Sequence, residues 1–574
     1  MKKNEQMKNL SFILIISIIV FLPTFVKAEQ ILGDSASFYV ESSYDSLKRE
    51  QVQATLREVS QTAYWYVDNN WWDGLEENEQ LEMNNAITVL SQEFTTNIYP
   101  VLTQSFGSEW KPGIDKDLRI TILIHPMNEQ AGGYFNSADE FPKSQILTSN
   151  EKEMIYFNAL HLNTSLAKSF LAHEFQHLIS FNQKEKTYGV SEEIWLNETR
   201  SEYVPTLLGY NDSFEGSDLQ RRIENFLDKP YDSLTEWKKL PYDYGVASLF
   251  IHYLTDHYGV KILIDSLKSP ETGINSLNSA LLKTGFKENF SQIFTDWTIA
   301  VLVNDCSLSI RYCYLNDNLK NLRLNPLINY LPSIGKSVLS VSNTTNDWAG
   351  NWHKFIGGNH GDLKVEFITS SLTKFKIPYL VQNDQGDLSI TFLELDNKGE
   401  ATIYVSDFGS KNVSLTIIPS AQNKTSNFSE SEAPLSFFWS ASTIEEGDQQ
   451  NQEQELINRL LVQIGNLQKE IARLQTQLDA ALGTGTTCKK FDQNLYYGMT
   501  NNNQVKCLQK FLKSQGMSIY PEGLVTGNFL TLTKQAVIRF QEKYSSEILT
   551  PIDLKSGTGF IGPMTRAKIN QLSN

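Results

Sequence analysis

The sequence predicts a multidomain protein: an α+β domain, then an all-β sandwich-like domain, a short coiled coil and a small all-α domain. The chain has 574 residues, too many for one hydrophobic core. Hydrophobic residues make up 40% of it and aromatic residues 11%, which is typical of well-packed globular domains. Near residue 335 the long helical patterns give way to short alternating runs, and a polar linker follows near residue 442.

The N-terminus has the pattern of a signal peptide. Three lysines precede an apolar run over residues 10–22, and Val26 and Ala28 stand where signal peptidase reads the chain. We therefore expect residues 1–28 to be removed, with cleavage near Ala28 and an extracellular or cell-envelope location. A retained membrane anchor is the alternative, but the run is short for a membrane span.

The first domain is predicted over residues 29–334 as helices followed by strands, then more helices. The segment "SLKREQVQATLREVSQTAYWYVDNNWW" places Val52, Leu56, Val59 and Ala63 at helical spacing. "DLRITILIHP" and "KEMIYFNA" read as strands, with "AGGYFNSADE" between them as a glycine-broken loop or edge. Helical patterns then run from about 164 to 330.

The second domain is predicted over residues 335–441 as a β-sandwich. Runs such as "DLKVEFI", "DLSITFLEL", "ATIYVSD" and "VSLTIIP" alternate apolar and polar residues, with Gly, Asn and Asp between them. Regular short strands separated by turn residues are typical of a sandwich or jelly roll.

A polar linker over 442–452 leads into a predicted coiled coil over 453–483. Two heptad positions are apolar, the first with branched residues and the second mostly with leucine: Ile457, Ile464, Ile471 and Leu478; Leu460, Leu467, Leu474 and Ala481. This choice favours a parallel two-stranded coil, and so a parallel homodimer. The alternative is a single solvated spacer helix, because short helices are marginal alone.

The four cysteines indicate disulfide bonds, and the net charge bears on which partners the protein can bind. Cys306 and Cys313 form one locally spaced pair and Cys488 and Cys507 another, so an exported chain is expected to form two local disulfides. The net charge of −16 argues against a nucleic-acid partner, which requires a basic surface.

The segment "LAHEFQHLISF" carries a His-Glu-x-x-His pattern. On a helix His173 and His177 lie one turn apart on the same face, so both imidazoles can bind one metal ion. In this pattern the two histidines bind zinc, and the glutamate, here Glu174, serves as general base on a zinc-bound water.

A catalytic zinc needs a third protein ligand, and "NETRSE" about twenty residues on supplies candidates. Here the chain resembles the gluzincin metallopeptidases, in which an Asn-Glu-x-x-x-Asp/Glu pattern on a second helix follows the two histidines. The resemblance implies Glu198 as the third ligand and Glu202 as the carboxylate that holds a histidine's free N–H. Glu192 and Glu193 are the competing ligands.

The resemblance extends to "YDYG", which is similar to the Tyr-x-x-Gly element of aminopeptidase-like gluzincins. It implies that Tyr242 donates to the oxyanion of the transition state, with Tyr244 held in reserve. The alternative is that both tyrosines only pack at a helix start.

The usual zincin layout further implies that "AGGYFNSADE" is the edge strand aligning an extended peptide. With "HEFQH", "WLNE" and a following β-domain, the chain looks most like hyicolysin-type secreted peptidases.

The last segment, 488–574, resembles the peptidoglycan-binding domain of the three-helix type. The matching pieces are "VKCLQKFL", "GLVTGNF", "TKQAVIRFQ" and "GPMTRAKIN". The resemblance implies peptidoglycan as a partner, and a disulfide between Cys488 and Cys507 would tie the first strand to the first helix. A small helical core with no wall affinity is the alternative.

Together these patterns predict an exported, wall-associated zinc endopeptidase that cleaves protein or peptide substrates. One alternative keeps the zinc chemistry and makes peptidoglycan stem peptides the substrate. Another is a catalytically inactive zincin serving as a surface scaffold or adhesin. No run matches an EF-hand loop, so the sequence gives calcium no support.

Overall fold

The computed structural model describes residues 30–333, 338–358, 361–444, 488, 490–516, 518–521, 523–552 and 554–573. The predicted signal peptide and coiled coil lie outside these residues. The chain divides into two compact units, Met1–Gly447 and Asp448–Asn574. The predicted multidomain organisation with mixed α and β content is thereby confirmed in outline.

The first unit begins with a six-stranded mixed sheet in the order β1-β2-β3-β4-β6-β5. Strands β3, β4 and β6 run parallel, and the outer pairs are antiparallel. The strands are β1 (Ser35–Tyr39), β2 (Gln51–Val59), β3 (Ala63–Asp68), β4 (Ile120–His125), β5 (Gly133–Phe135) and β6 (Met154–Asn158). The predicted strands at 117–126 and 152–159 are confirmed as β4 and β6, and the glycine-broken segment supplies β5 at the sheet edge.

The helix predicted over residues 46–72 is wrong, because most of this segment forms β2 and β3. Val52, Ala54 and Leu56 are buried in alternation along β2. A four-residue spacing such as Val52 to Leu56 satisfies both a helical repeat and twice the two-residue repeat of a strand. The β-branched and aromatic content of β3 was the better signal.

Ten helices, interrupted by the strands above, complete the α+β part within the described residues. They are α1 (Asn69–Trp72), α2 (Glu77–Glu93), α3 (Tyr99–Phe106), α4 (Ala167–Ser180), α5 (Ile194–Leu207), α6 (Asp218–Asp228), α7 (Pro241–Tyr258), α8 (Lys261–Leu267), α9 (Gly273–Thr284) and α10 (Phe290–Val303). One continuous core joins one face of the sheet to the helices. The helical region ends at Val303, earlier than the predicted 330.

Two sheets of mostly antiparallel strands follow, and a separate hydrophobic core lies between them. One has the order β13-β10-β16-β8, and the other the order β12-β11-β14-β9-β7 with β15 beside β11. The strands are β7 (Leu327–Leu331), β8 (Val338–Thr345), β9 (His353–Gly357), β10 (Asp362–Thr369), β11 (Phe375–Asn383), β12 (Leu388–Leu393), β13 (Glu400–Val405), β14 (Asn412–Ile417), β15 (Ser420–Ala421) and β16 (Leu435–Ile444). Phe355, Phe367 and Trp439 are buried between the sheets, as in a sandwich. The first strand lies before residue 335, where the sequence placed the start.

The sandwich is packed against the helices through two tryptophans. The indole N–H of Trp352 donates to the Thr298 carbonyl at 2.9 Å. The ring of Trp348 packs edge-on against Phe290, with 4.8 Å between ring centroids. Both tryptophans belong to the helical core, so the sandwich contributes side chains to that core as well as having its own.

The second unit is a small helical fold. Its helices are α11 (Asn503–Ser514), α12 (Thr531–Lys543), α13 (Ser545–Ile548) and α14 (Pro563–Leu572). The predicted disulfides Cys306–Cys313, in the first unit, and Cys488–Cys507, in the second, are both present.

A buried glutamine on α11 organises the turn that precedes α12. The Gln509 amide N–H group donates to the Asn528 carbonyl and to the Thr533 hydroxyl, both at 2.9 Å. Its amide oxygen accepts from the backbone N–H groups of Thr526 and Gly527. The glutamine thus satisfies the polar backbone of a turn that carries little regular structure.

The same arrangement recurs one helix later, around Gln541 on α12. Its amide N–H group donates to the Phe560 carbonyl at 2.8 Å and to the Thr565 hydroxyl at 3.0 Å. Its amide oxygen accepts from the Gly559 N–H at 2.9 Å. Gln541 follows Gln509 by 32 positions, and each partner is displaced by the same number. The unit therefore contains a structural repeat that our sequence analysis did not detect.

Candidate metal centre

Helix α4 carries the His-Glu-x-x-His segment between the sheet and α5. Leu171, Phe175 and Leu178 are fully or almost fully buried and fix the rotation of the helix. His173 and His177 consequently project from another face of the helix, toward α5. The apolar and metal-ligating positions of the helix therefore determine the face from which both imidazoles project.

Three donor atoms converge where α4 meets α5. The Glu198 Oε2 atom lies 3.2 Å from His173 Nε2 and 3.5 Å from His177 Nε2. The two imidazole Nε2 atoms lie 3.1 Å apart. Within the described residues, one group of three or more His, Cys, Asp or Glu side chains brings its ligand atoms close enough together to hold a metal ion. This group consists of His173, His177 and Glu198.

A carboxylate behind the three donors fixes the first imidazole. The Glu202 Oε1 atom lies 3.3 Å from His173 Nδ1, on the side of the ring opposite the other donors. The Arg222 guanidinium on α6 holds Glu202 by two hydrogen bonds of 2.6 and 2.7 Å. Glu202 and Arg222 are both buried, and such a support orients a metal-binding imidazole and increases its basicity. Arg222 lies outside the motif, and the sequence analysis missed it.

The predicted competing ligands are occupied elsewhere. Glu192 forms ion pairs with Arg200 at 3.1 Å and Lys184 at 3.4 Å. Glu193 accepts the Asn427 backbone N–H at 2.6 Å. The structure thus brings Glu198, rather than either of these residues, to the two histidines.

Glu174 lies between the donors and the edge strand β5. A Cβ atom at Gly133 would meet the Glu174 Cγ atom at 2.8 Å and the Tyr156 carbonyl at 2.4 Å. Only glycine permits this approach, so the edge strand passes directly over the glutamate. The predicted general base is 7% exposed and therefore nearly enclosed.

The electrostatics of the cluster favour a bound cation. Burial raises the pKa of Glu174, and the two histidines offset this only in part. Burial opposes protonation of His173, but the Glu198 and Glu202 carboxylates outweigh it and raise that pKa to about 10. The carboxylates of Glu198 and Glu202 thus favour a positive charge at His173, and a divalent ion would supply that charge in place of a proton.

The two candidate tyrosines lie in different surroundings. Tyr242 packs against Lys229, whose ammonium is 4.1 Å from the ring centroid. Burial raises the pKa of Tyr244 well above its usual range, and the charge of Glu198 raises it further. The Arg222 guanidinium lies 4.5 Å from the Tyr244 ring centroid. Tyr244, the reserve candidate, thus lies close enough to the metal-binding Glu198 for that carboxylate to raise the pKa of its phenol.

Tyr44 is a further residue near the centre that the sequence did not indicate. Burial raises the pKa of its phenol, Lys239 opposes this, and the charges of Glu174 and Glu198 raise it. Its ring stacks on Tyr134 of the edge strand at 4.9 Å. No local motif surrounds Tyr44, and only the tertiary fold brings it here.

The donor set fits zinc. Two neutral imidazoles and one carboxylate are the ligands of one common class of catalytic zinc site, which leaves a fourth position open. His173, His177 and Glu198 would hold the ion, and Glu202 would support His173.

Comparison with known proteins also points to a metallopeptidase. No family model matches the chain. The neutral metalloprotease ShpI of Staphylococcus hyicus is 24% identical over 241 residues, which cover 37% of this chain and 52% of that protein. The match thus spans about half the length of that relative, and it supports a metallopeptidase.

Among solved structures, a match of 11% identity covers 21% of this chain and all of Aeromonas hydrophila PliG, a periplasmic lysozyme inhibitor of g-type lysozyme. Its TM-score is 0.14, so this likeness carries no argument.

The support of His173 can be tested by the variant Glu202→Gln. We expect zinc affinity to fall about 10–100-fold, because an amide orients the imidazole more weakly and leaves Arg222 with only the more distant Asp218 carboxylate as counter-charge. Competition against a chromophoric zinc chelator measures the change. Glu224→Gln, an exposed carboxylate on α6, is the matched control. Equal affinities for both variants and wild type would contradict the role of Glu202.

Proposed function

We propose that the chain is a zinc-dependent endopeptidase, exported and associated with the cell wall. The observation that carries the proposal is the convergence of His173, His177 and Glu198 beside Glu174, with the edge strand across the opening. The partial similarity to a neutral metalloprotease supports the same chemistry. Cleavage of peptide bonds within proteins is the activity that this arrangement suits best.

Zinc, when bound, supplies a Lewis acid that activates water for attack on a peptide carbonyl. The chain's own groups do the rest. Glu174 takes the proton of the attacking water and delivers it to the leaving amine. Burial raises its pKa, so it returns a proton to the leaving amine more readily than an exposed glutamate retains one.

The edge strand and a tyrosine position the substrate. Strand β5 pairs with β6 on one side and is the last strand of its sheet, so an extended peptide can add to its other side. Its Gly133 lies against Glu174, which places the added peptide next to the general base. We propose Tyr244 in place of Tyr242 as the donor to the developing oxyanion, because Glu198 is close enough to raise the pKa of the Tyr244 phenol.

The second unit is proposed to bind peptidoglycan. Support comes from the motifs that resemble the three-helix wall-binding domain and from the independence of this unit from residues 1–447. Export remains a proposal that rests on the N-terminal pattern and fits two disulfides. Among the described helices, none is long and apolar enough to cross a membrane.

The general base is tested by Glu174→Gln in the full chain. We expect the variant to retain one zinc ion and to lose casein hydrolysis by about a hundred- to ten-thousand-fold, because the amide cannot take up a proton. Metal analysis and a casein assay give the two readings. If wild type binds zinc but spares casein and cleaves purified wall peptides, the stem-peptide alternative is correct. If wild type binds zinc and cleaves neither, the inactive scaffold is correct.

The oxyanion donor is tested by Tyr244→Phe, with Tyr242→Phe as the matched control. We expect kcat for a peptide substrate to fall roughly a hundredfold in Tyr244→Phe with little change in KM, because a transition-state hydrogen bond is lost. Tyr242→Phe should stay close to wild type. The reverse result would return the role to Tyr242.

Wall binding is tested by sedimentation with insoluble peptidoglycan. The full chain should sediment, whereas a chain ending at residue 447 should stay in the supernatant and retain its zinc and its hydrolytic activity. Equal partition of the two chains would contradict a binding role for the second unit.

A further inference from the structure

Three tyrosine rings form one stack that runs across the first sheet and continues past its free edge. Tyr134 on β5 is the cross-strand neighbour of Tyr156 on β6, and their rings stack with 4.1 Å between centroids. Tyr44, from the connection between β1 and β2, stacks on Tyr134 at 4.9 Å with 13° between the ring planes. One face of Tyr134 accommodates one stacked ring, so Tyr44 lies on the face directed away from Tyr156. The Tyr44 ring therefore continues the ladder at a position where the sheet itself has no strand.

This outer position of Tyr44 also borders the metal centre. The ammonium of Lys239, which closely precedes α7, lies 5.9 Å from the Tyr44 ring centroid. The charges of Glu174 and Glu198 act on the Tyr44 phenol. Tyr44 thus lies between the edge strand and the segment that leads into α7, beside the general base.

The backbone that carries Tyr44 is held firmly in place. Its carbonyl accepts from the Asn128 N–H at 2.9 Å. The next residue, Asp45, is fully buried and accepts from the backbone N–H and the guanidinium of Arg49. Its Oδ2 atom also lies 3.2 Å from the Nδ1 atom of His125 at the end of β4. A buried carboxylate with these partners fixes the connection against the sheet, so the Tyr44 ring forms a wall rather than a movable flap.

An extended peptide added to β5 would bring one of its side chains to this wall. On neighbouring strands, directly opposed residues project from the same face of the sheet with Cβ atoms roughly 4.5–5.5 Å apart. The substrate residue opposite Tyr134 would therefore project toward the place that the Tyr44 ring occupies. Glycine or alanine fits beside the ring, whereas a side chain as large as phenylalanine would overlap it.

We propose that Tyr44 determines specificity by restricting the substrate residue opposite Tyr134 to a small side chain, an inference that rests on the peptidase function proposed above. Tyr134 directly follows Gly133, which lies against Glu174, so the restricted residue neighbours the one beside the general base. The restriction is steric and depends on the Tyr44 ring, not on its hydroxyl.

The test uses the full zinc-loaded chain and a set of variants of one casein peptide. Each position of the peptide carries alanine or phenylalanine in turn, and kcat/KM is measured for every peptide. In wild type we expect one position near the cleaved bond at which phenylalanine lowers kcat/KM at least about tenfold relative to alanine. Tyr44→Ala should reduce this difference to about threefold or less at that position alone, because the ring no longer fills the space.

Two further variants separate the ring from other effects of substitution. Tyr44→Phe should keep the wild-type preference, because the ring remains. Leu47→Ala, at an exposed position of the same connection, is the matched control and should keep it as well. Zinc content and Tm establish that each variant is folded. If no position disfavours phenylalanine in wild type, the proposal is overturned whether or not the variants fold, and an unchanged preference in folded Tyr44→Ala overturns it equally.

Peptide affinity distinguishes a failure of this proposal from a failure of the peptidase function. Zinc-loaded Glu174→Gln should bind the alanine peptide more tightly than the phenylalanine peptide, and adding Tyr44→Ala should remove the difference. This result without hydrolysis by wild type would reject the peptidase function and retain the role of Tyr44. Hydrolysis by wild type without a preference in either measurement would do the reverse. Peptides that are neither cleaved nor bound would overturn both.

Discussion

The buried ion pair between Arg222 and Glu202 is the interaction on which the metal centre depends. It links α6 to α5, and through the His173 imidazole it reaches α4. Two buried charges are stable only when each satisfies the other, so the pair fixes the relative positions of three helices. The geometry of the centre is therefore a property of the helical packing and not of the His-Glu-x-x-His segment alone.

The β-sandwich participates in this packing. Its Trp348 and Trp352 lie in the helical core, and the Asn427 backbone N–H donates to Glu193 at the start of α5. The helix that supplies Glu198 is thus tied at its N-terminus to the sandwich. Removal of the sandwich would take both tryptophans out of the helical core, uncover their partner Phe290 and release this end of α5, so helices and sandwich form one stable body.

Part of this structure follows from the sequence, and part does not. One-turn spacing on a helix gave His173 and His177 a common face. The resemblance to gluzincins indicated Glu198, which the structure brings to them from a second helix. Residues far apart in the chain, such as Tyr44 and Arg222, meet only through tertiary packing and leave no local signal. The β2–β3 hairpin was mistaken for a helix because a four-residue apolar spacing fits both periods.

The choice between Tyr242 and Tyr244 illustrates the same limit at smaller scale. Both tyrosines lie in the first turn of α7, and a motif match cannot distinguish neighbours two residues apart whose side chains point in different directions. Tyr242 contacts Lys229 whereas Tyr244 contacts Arg222, and this difference in packing is one basis of our proposal for Tyr244.

The duplicated glutamine turns of the second unit have a consequence for its evolution. Gln509 and Gln541 hold their turns from inside, in part through the backbone carbonyls of Asn528 and Phe560, so these buried hydrogen bonds do not require a particular side chain at either position. Asn528 stands at one turn where Phe560 stands at the other. One copy can therefore diverge in its surface chemistry while both retain the buried hydrogen bonds that keep the unit folded. The repeat thus separates the residues that keep the unit folded from those that determine its surface, so one turn can change its exposed side chain without loss of the domain.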